Sequence, residues 1–231
     1  MAVDFEIALP EIAYLDISGT PNKFPVRRIY CVGRNYAAHV REMNGGLDSR
    51  DPPFFFQKPR DAIVRHPASV SYPPMTNDLH FEVELVVAIG KGGSNILTAT
   101  ALDHVFGYAV GVDLTRRDLQ AAAKAKSQPW ESAKAFDHSA PIGTLQRREN
   151  GQALADAAIS LHVNGEAKQS SSTKEMTWSV AEIIAKLSEQ NRLEPGDVIM
   201  TGTPEGVGAT VKGDRLEATV LGLPPLQVKI I

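Results

Sequence analysis

Two carboxylates lie two residues apart inside an apolar, β-branched run, His80-Phe81-Glu82-Val83-Glu84-Leu85-Val86-Val87-Ala88-Ile89-Gly90. Strand side chains alternate faces, so Glu82 and Glu84 leave the same face, about 7 Å apart along the chain. Phe81, Val83, Leu85 and Val87 leave the other face and read as core. Two like charges aimed together from a hydrophobic strand repel each other and resist desolvation. A hard divalent cation with oxygen ligands neutralises such a pair. The competing reading is the solvated face of an edge strand, where charge guards against aggregation.

Other residues can join this chemistry. Asp113 ends the apolar stretch 107–112 and precedes a helix pattern, so it is either a helix cap or a third ligand. Three anionic oxygens on an octahedral Mg²⁺ leave three positions open, room for two substrate oxygens and a water. His39 and Glu42 are spaced i, i+3 on a short helix and share a face. An imidazole oriented by a carboxylate is a competent general base, although a solvated His–Glu pair is the plainer reading. The glycine pair Gly45-Gly46 after that helix suits a lid. Lys58 in Phe-Phe-Phe-Gln-Lys-Pro and Lys134 in Ser-Ala-Lys-Ala-Phe-Asp sit in apolar settings. Each either snorkels to the surface or faces a carboxylate or enolate. The loop Thr201-Gly202-Thr203-Pro204-Glu205-Gly206-Val207-Gly208 is either a structural turn or a carboxylate-binding loop. It lacks the Gly-Lys-Ser/Thr ending and the following helix of a nucleotide-phosphate site. The six histidines show no HExxH spacing and there is no cysteine pair, which disfavours zinc. His80 shares the strand face of the two glutamates. No G-x-S-x-G elbow is present.

The elements that must carry these residues follow from patterning. Residues 1–25, broken by Pro10, Gly19, Pro21 and Pro25, read as an N-terminal arm or small lead-in hairpin, and 26–231 as one domain. Strands are expected at 28–32, 54–58, 61–65, 81–89, 105–112 and 197–201. A short helix spans 35–43 with Asn35 as candidate N-cap. A second helix, 119–126, follows a capping-box pattern of Thr115 and Asp118. Residues 159–163 alternate into an Asn164-Gly165 hairpin turn. Ser179 and Glu182 form another capping box ahead of the stripe Val180, Ile183, Ile184 and Leu187. The fold class is α+β, mostly β, with a few short helices.

Composition narrows the function. The 231 residues carry 24 Lys+Arg against 27 Asp+Glu, a net charge of −3 without a basic run, which argues against nucleic acid as a partner. Neither a signal peptide nor an apolar run of membrane-spanning length is visible, so a soluble cytoplasmic protein with no membrane partner is expected. The single cysteine, Cys31, reads as a small buried hydrophobe.

Four segments in order resemble the fumarylacetoacetate hydrolase superfamily in its small, single-domain form. They are Val32-Gly33-Arg34-Asn35-Tyr36 with His39 and Glu42, Phe81-Glu82-Val83-Glu84-Leu85, Gly111-Val112-Asp113, and the 201–208 loop. The segments Phe-Phe-Phe-Gln-Lys-Pro and Cys-Val-Gly-Arg-Asn-Tyr-Ala-Ala-His look most like the branch that hydrolyses fumarylpyruvate in bacterial gentisate breakdown. The resemblance implies a mixed β-sandwich roll, a homodimer, and a Mg²⁺ or Mn²⁺ site of Glu82, Glu84 and Asp113. It implies that His39 and Glu42 activate water on a mobile segment and that Lys134 is the active-site lysine. Lys58 and Thr203 match pocket-lining positions, and Arg34 or Lys58 is a candidate for the distal carboxylate of a fumaryl group. Gln57 departs from the apolar residue many relatives carry before Lys-Pro. The implied reaction is hydrolysis of an acylpyruvate, a small diketo acid. The alternatives are oxaloacetate decarboxylation or diacid isomerisation on the same fold, and non-catalytic binding of a carboxylate or metal.

Overall fold

A computed structural model of the chain describes residues 5–44, 50–149 and 153–231. Its frame is an eight-stranded sheet facing a five-stranded one. The larger sheet runs Phe54–Lys58, Arg28–Gly33, Asp197–Met200, Val83–Ile89, Val105–Val112, Ala140–Ile142, Ile63–Arg65, with Gln146–Arg147 also paired to Val105–Val112. The smaller runs Glu166–Ser172, Ala158–Val163, Arg215–Val220, Leu226–Ile230, Ala68–Val70. The mixed, mostly β roll agrees with the expected fold class.

Two cores lie on opposite faces of the large sheet. One packs Val83, Leu85, Val87 and Ile89 against Leu161, Leu216 and Val228 of the small sheet. The helix Val180–Gln190 (α4 below) seals its end with Val180, Ile183, Ile184 and Leu187, capped by the Ser179–Glu182 box. The other core packs Val86 and Ala88 against Leu15, Phe24, Ile29, Cys31 and Met200. Strand Val83–Ile89 is therefore buried on both faces, which excludes the solvated-edge reading of its acids. Leu15 and Phe24, on the hairpin Tyr14–Asp16/Lys23–Pro25, seal the second core, so much of the segment read as an arm is packed into the body. Residues 5–12 remain outside it, with Phe5, Ile7, Leu9 and Ile12 exposed.

The remaining helices are α1 (Ala37–Asn44), α2 (Arg117–Ala125) and α3 (Glu131–Lys134); α4 is Val180–Gln190. None is long and apolar enough to cross a membrane. Two expected caps are absent. Asn35 turns its amide away from α1: Nδ2 donates to Trp178 O at 3.0 Å and Thr201 O at 2.8 Å, and Oδ1 accepts from Trp178 N at 2.8 Å. Both donors and one acceptor site of this buried amide are committed to backbone far along the chain, and Oδ1 is turned to Trp178. Thr115 likewise does not cap α2, because its hydroxyl accepts from Lys134 Nζ at 2.6 Å. The pair Gly45-Gly46, expected to free a lid, lies outside the described residues.

Candidate active site

The strand expected over 81–89 is two strands. Leu79–Phe81 belongs to a small three-stranded sheet with Thr115–Arg116 and Gly208–Thr210, and the chain passes into the large sheet at Val83. Glu82 sits at the break. Val83 pairs with Val112 in the antiparallel ladder, so Glu82 and Asp113 are the next cross-strand neighbours, tied by Asp113 N–H donating to Glu82 O at 2.8 Å. Glu84 pairs with Gly111, where a side chain would come within 2.6 Å of Val86 Cγ2. Register thus gathers three carboxylates at one sheet end. Each of Glu82, Glu84 and Asp113 offers an oxygen within 4.8 Å of the others, and all three are buried.

Cations surround this nest. Lys134 Nζ donates to Glu82 Oε2 at 2.8 Å and to Asp113 Oδ2 at 2.7 Å. Arg117 Nη2 donates to the other Glu82 oxygen. Lys58 Nζ lies 2.8 Å from Asp113 Oδ1, although that oxygen has no hydrogen bond aimed at it. Lys58 instead donates to the carbonyls of Leu114, at 3.1 Å, and Lys134. Burial opposes the charge on Glu82, but Lys134, Arg117 and His39 outweigh it and hold the carboxyl far below its usual range. Burial also works against the Lys134 ammonium, and Asp113 with Glu82 outweighs that and raises its pKa. Glu84 has no ion-pair partner among the described residues, and Lys134 acts on it only weakly. Burial, Asp113 and Glu82 push its pKa well up, against one hydrogen bond from Gly202 N–H at 2.7 Å. A buried acid forced towards neutrality beside an oxygen without a hydrogen bond fits a site for a hard cation. The donor set is all oxygen, as Mg²⁺ or Mn²⁺ prefers.

Across the cleft, His39 Nδ1 lies 3.2 Å from Glu42 Oε2, as the i, i+3 spacing on α1 requires. Glu42 is held from the other side by Gly206 N–H, 3.2 Å from each carboxylate oxygen. The glycine-rich loop therefore binds carboxylates, but they are the protein's own, Glu84 through Gly202 and Glu42 through Gly206. Cleft-lining residues include Arg34, His39, Glu82, Asp113, Lys134 and Thr203.

Comparison with known proteins now bears on this arrangement. Residues 28–231 match the model of the fumarylacetoacetate (FAA) hydrolase C-terminal family. The chain belongs to the fumarylacetoacetate hydrolase family. A crystal structure of fumarylpyruvate hydrolase from Pseudomonas aeruginosa in complex with Mn²⁺ and pyruvate is 48% identical, covers 99% of each chain and superposes with a TM-score of 0.95. A fumarylpyruvate hydrolase from Ralstonia sp is 42% identical over 177 residues, 77% of this chain and 92% of the relative. A mitochondrial oxaloacetate tautomerase from Bos taurus is 39% identical over 204 residues, 88% of this chain and 91% of the relative.

Within this family member, one expected position needs correction. Lys58 does not line the pocket: its side chain is fully buried behind Asp113, held by backbone carbonyls and by the Phe136 ring at 5.6 Å. It backs Asp113 from within the fold, away from the cleft lining. Three contributors escaped sequence reasoning. Arg117 pins Glu82, and its Nε reaches His80 Nδ1 at 3.4 Å, so His80 serves the site through Arg117. Its signal was present, a basic residue four positions after the candidate ligand Asp113. Gln169 accepts from Val83 N at 2.9 Å and donates to Thr203 Oγ1 and Pro204 O, both at 2.9 Å. Nothing in Glu166-Ala-Lys-Gln-Ser-Ser-Ser marks it as a brace. Asn35 joins the 201 loop to Trp178, a role hidden by its resemblance to a cap.

Proposed function

We propose that this chain is a divalent-metal-dependent hydrolase of the carbon–carbon bond in 2,4-diketo acids, with fumarylpyruvate cleaved to fumarate and pyruvate. One observation carries the reading: a buried three-carboxylate nest opens onto a cleft whose other wall carries a carboxylate-oriented histidine. Glu82, Glu84 and Asp113 would hold Mg²⁺ or Mn²⁺. When bound, such an ion polarises the carboxylate and 2-oxo oxygens of an acylpyruvate and stabilises enolate charge. Glu42 engages His39 through Nδ1, which leaves Nε2 to take a proton from water. The water oxygen adds to C4. The C3–C4 bond then breaks with its electron pair entering pyruvate enolate, and protonation at C3 completes pyruvate beside fumarate. Lys134 adds positive charge that counts most as the enolate forms. Arg34 and Thr203 bind substrate at the cleft wall.

The resemblance supports gentisate breakdown as the setting, the cytoplasm as the compartment, a homodimer as the working unit, and 26–231 as the catalytic domain. The test is a metal-replete panel of acylpyruvates followed by loss of diketo-enol absorbance. Turnover of fumarylpyruvate, abolished by EDTA and restored by Mg²⁺ or Mn²⁺, is expected. Full turnover after exhaustive metal removal overturns the reading. The similarity to an oxaloacetate tautomerase favours a second reading, keto–enol conversion of a diacid, which needs the same cation but no attacking water. Substituting His39 by Ala separates the two, since only hydrolysis depends on that base.

A further inference from the structure

The cleft holds two cations that take no part in the carboxylate nest or the His39–Glu42 pair. Arg34 and Lys124 both line it, and neither forms an ion pair with a carboxylate among the described residues. Every other cation at the cleft is spent: Lys134 and Arg117 on Glu82, with Lys58 behind them on Asp113. Arg34 and Lys124 are instead held against one aromatic wedge. The Arg34 guanidinium lies 5.8 Å from the Phe54 ring centre and Lys124 Nζ 5.1 Å from that of Trp130. The two rings meet edge to face at 5.2 Å. Rings orient cations but leave their charge uncompensated.

The backbone reinforces the arrangement. Arg34 has φ of +59°, the left-handed region that a residue with a β-carbon rarely adopts, and it is followed by the fully bridged Asn35. Lys124 is half-buried on the face of α2, one turn beyond Gln120, which also lines the cleft. Burial, and then the charges of Arg117 and Arg34, lower its pKa, as expected of a cation crowded by like charge.

We propose that Arg34 and Lys124 together recognise a second carboxylate at the far end of the acyl group. They would then select acylpyruvates that are diacids over those with an uncharged acyl end. This rests on the acylpyruvate reading above and assigns the selectivity to Lys124 in place of the inaccessible Lys58. A carboxylate there receives charge-assisted bonds from two donors already in place. An uncharged acyl end leaves both cations desolvated and unpaired.

The experiment compares kcat/KM for fumarylpyruvate and acetylpyruvate in wild type, Lys124→Gln, Lys124→Arg and Arg34→Gln. The fumarylpyruvate-to-acetylpyruvate ratio is expected to fall about tenfold to hundredfold in each Gln variant, chiefly through KM, and to be largely kept in Lys124→Arg. A parallel fall on both substrates, or no fall, overturns the proposal. A second readout does not need turnover. NMR titration of the protein with fumarate and with crotonate, its monoanionic analogue, should show a preference for fumarate that Lys124→Gln abolishes. No such preference, or one that survives the substitution, overturns the pair even if wild type cleaves no acylpyruvate. Absent turnover alone counts against the hydrolase reading.

Discussion

The two walls of the cleft are built by opposite means. The carboxylate wall hangs on central strands. Glu84 lies within a strand buried on both faces, and Glu82 and Asp113 face each other across a ladder whose register admits no slip without exposing the core. The histidine wall hangs on the eight-residue helix α1, where Glu42 joins His39 to the backbone N–H of Gly206. One wall is fixed before any ligand arrives. The other rests on a short helix outside both cores. In the proposed reaction the rigid wall pre-positions the chelating oxygens and the helical wall carries the base.

The comparison can be broken most severely on the rigid side. Removing the divalent ion with EDTA is expected to abolish hydrolysis, and Asp113→Asn should lower turnover by roughly a thousandfold even with metal present, read by the absorbance assay. Next in size is the helical wall. His39→Ala should cost about a hundredfold to ten-thousandfold in hydrolysis and leave melting temperature nearly unchanged, because α1 contributes little to either core. Unchanged hydrolysis would remove His39 from its role.

A smaller effect sharpens the link between the walls. Gly206 has φ of +87°, and a β-carbon there would stand 2.2 Å from Lys168 O. Gly206→Ala must therefore displace the N–H that holds Glu42. Hydrolysis should fall about tenfold to hundredfold with metal affinity intact, measured by kinetics beside metal titration. Loss of metal affinity in this variant would show the walls to be one unit.

The smallest effect is a pH slope. Glu84 is raised in the metal-free fold, so above the ordinary carboxylate range the folded state holds a proton that the unfolded state has released. That contribution to stability is fully present at low pH and is lost as pH rises through the raised value. Metal binding must expel the same proton, so affinity should tighten by at most about tenfold per pH unit, and calorimetry in two buffers should register proton release. Glu84→Gln should flatten the slope.

Much of this was legible from residue types and spacing, and the failures share a cause. Period-two alternation placed Glu82 and Glu84 together, and i, i+3 spacing joined His39 to Glu42, because both are local geometry. The Ser179–Glu182 box formed for the same reason. Asn35 and Thr115 matched capping patterns equally well, yet each is claimed by a partner far along the chain, Asn35 by Thr201 and Thr115 by Lys134. A local motif predicts a contact only when no distant group competes for the same atoms. Gln169 and Lys58 illustrate the rest, since tertiary packing alone decides whether a polar side chain on a strand faces water or a ligand's back.

The doubly buried strand has a consequence for anyone retargeting this scaffold to a new acyl group. Substitutions along Val83–Ile89 disturb two hydrophobic interiors at once, so variation there is closed to gradual change. Gln120 and Lys124 on helix α2 line the same opening outside both interiors. New substrates should be accommodated from the rim inwards, with the ion-holding centre inherited unaltered.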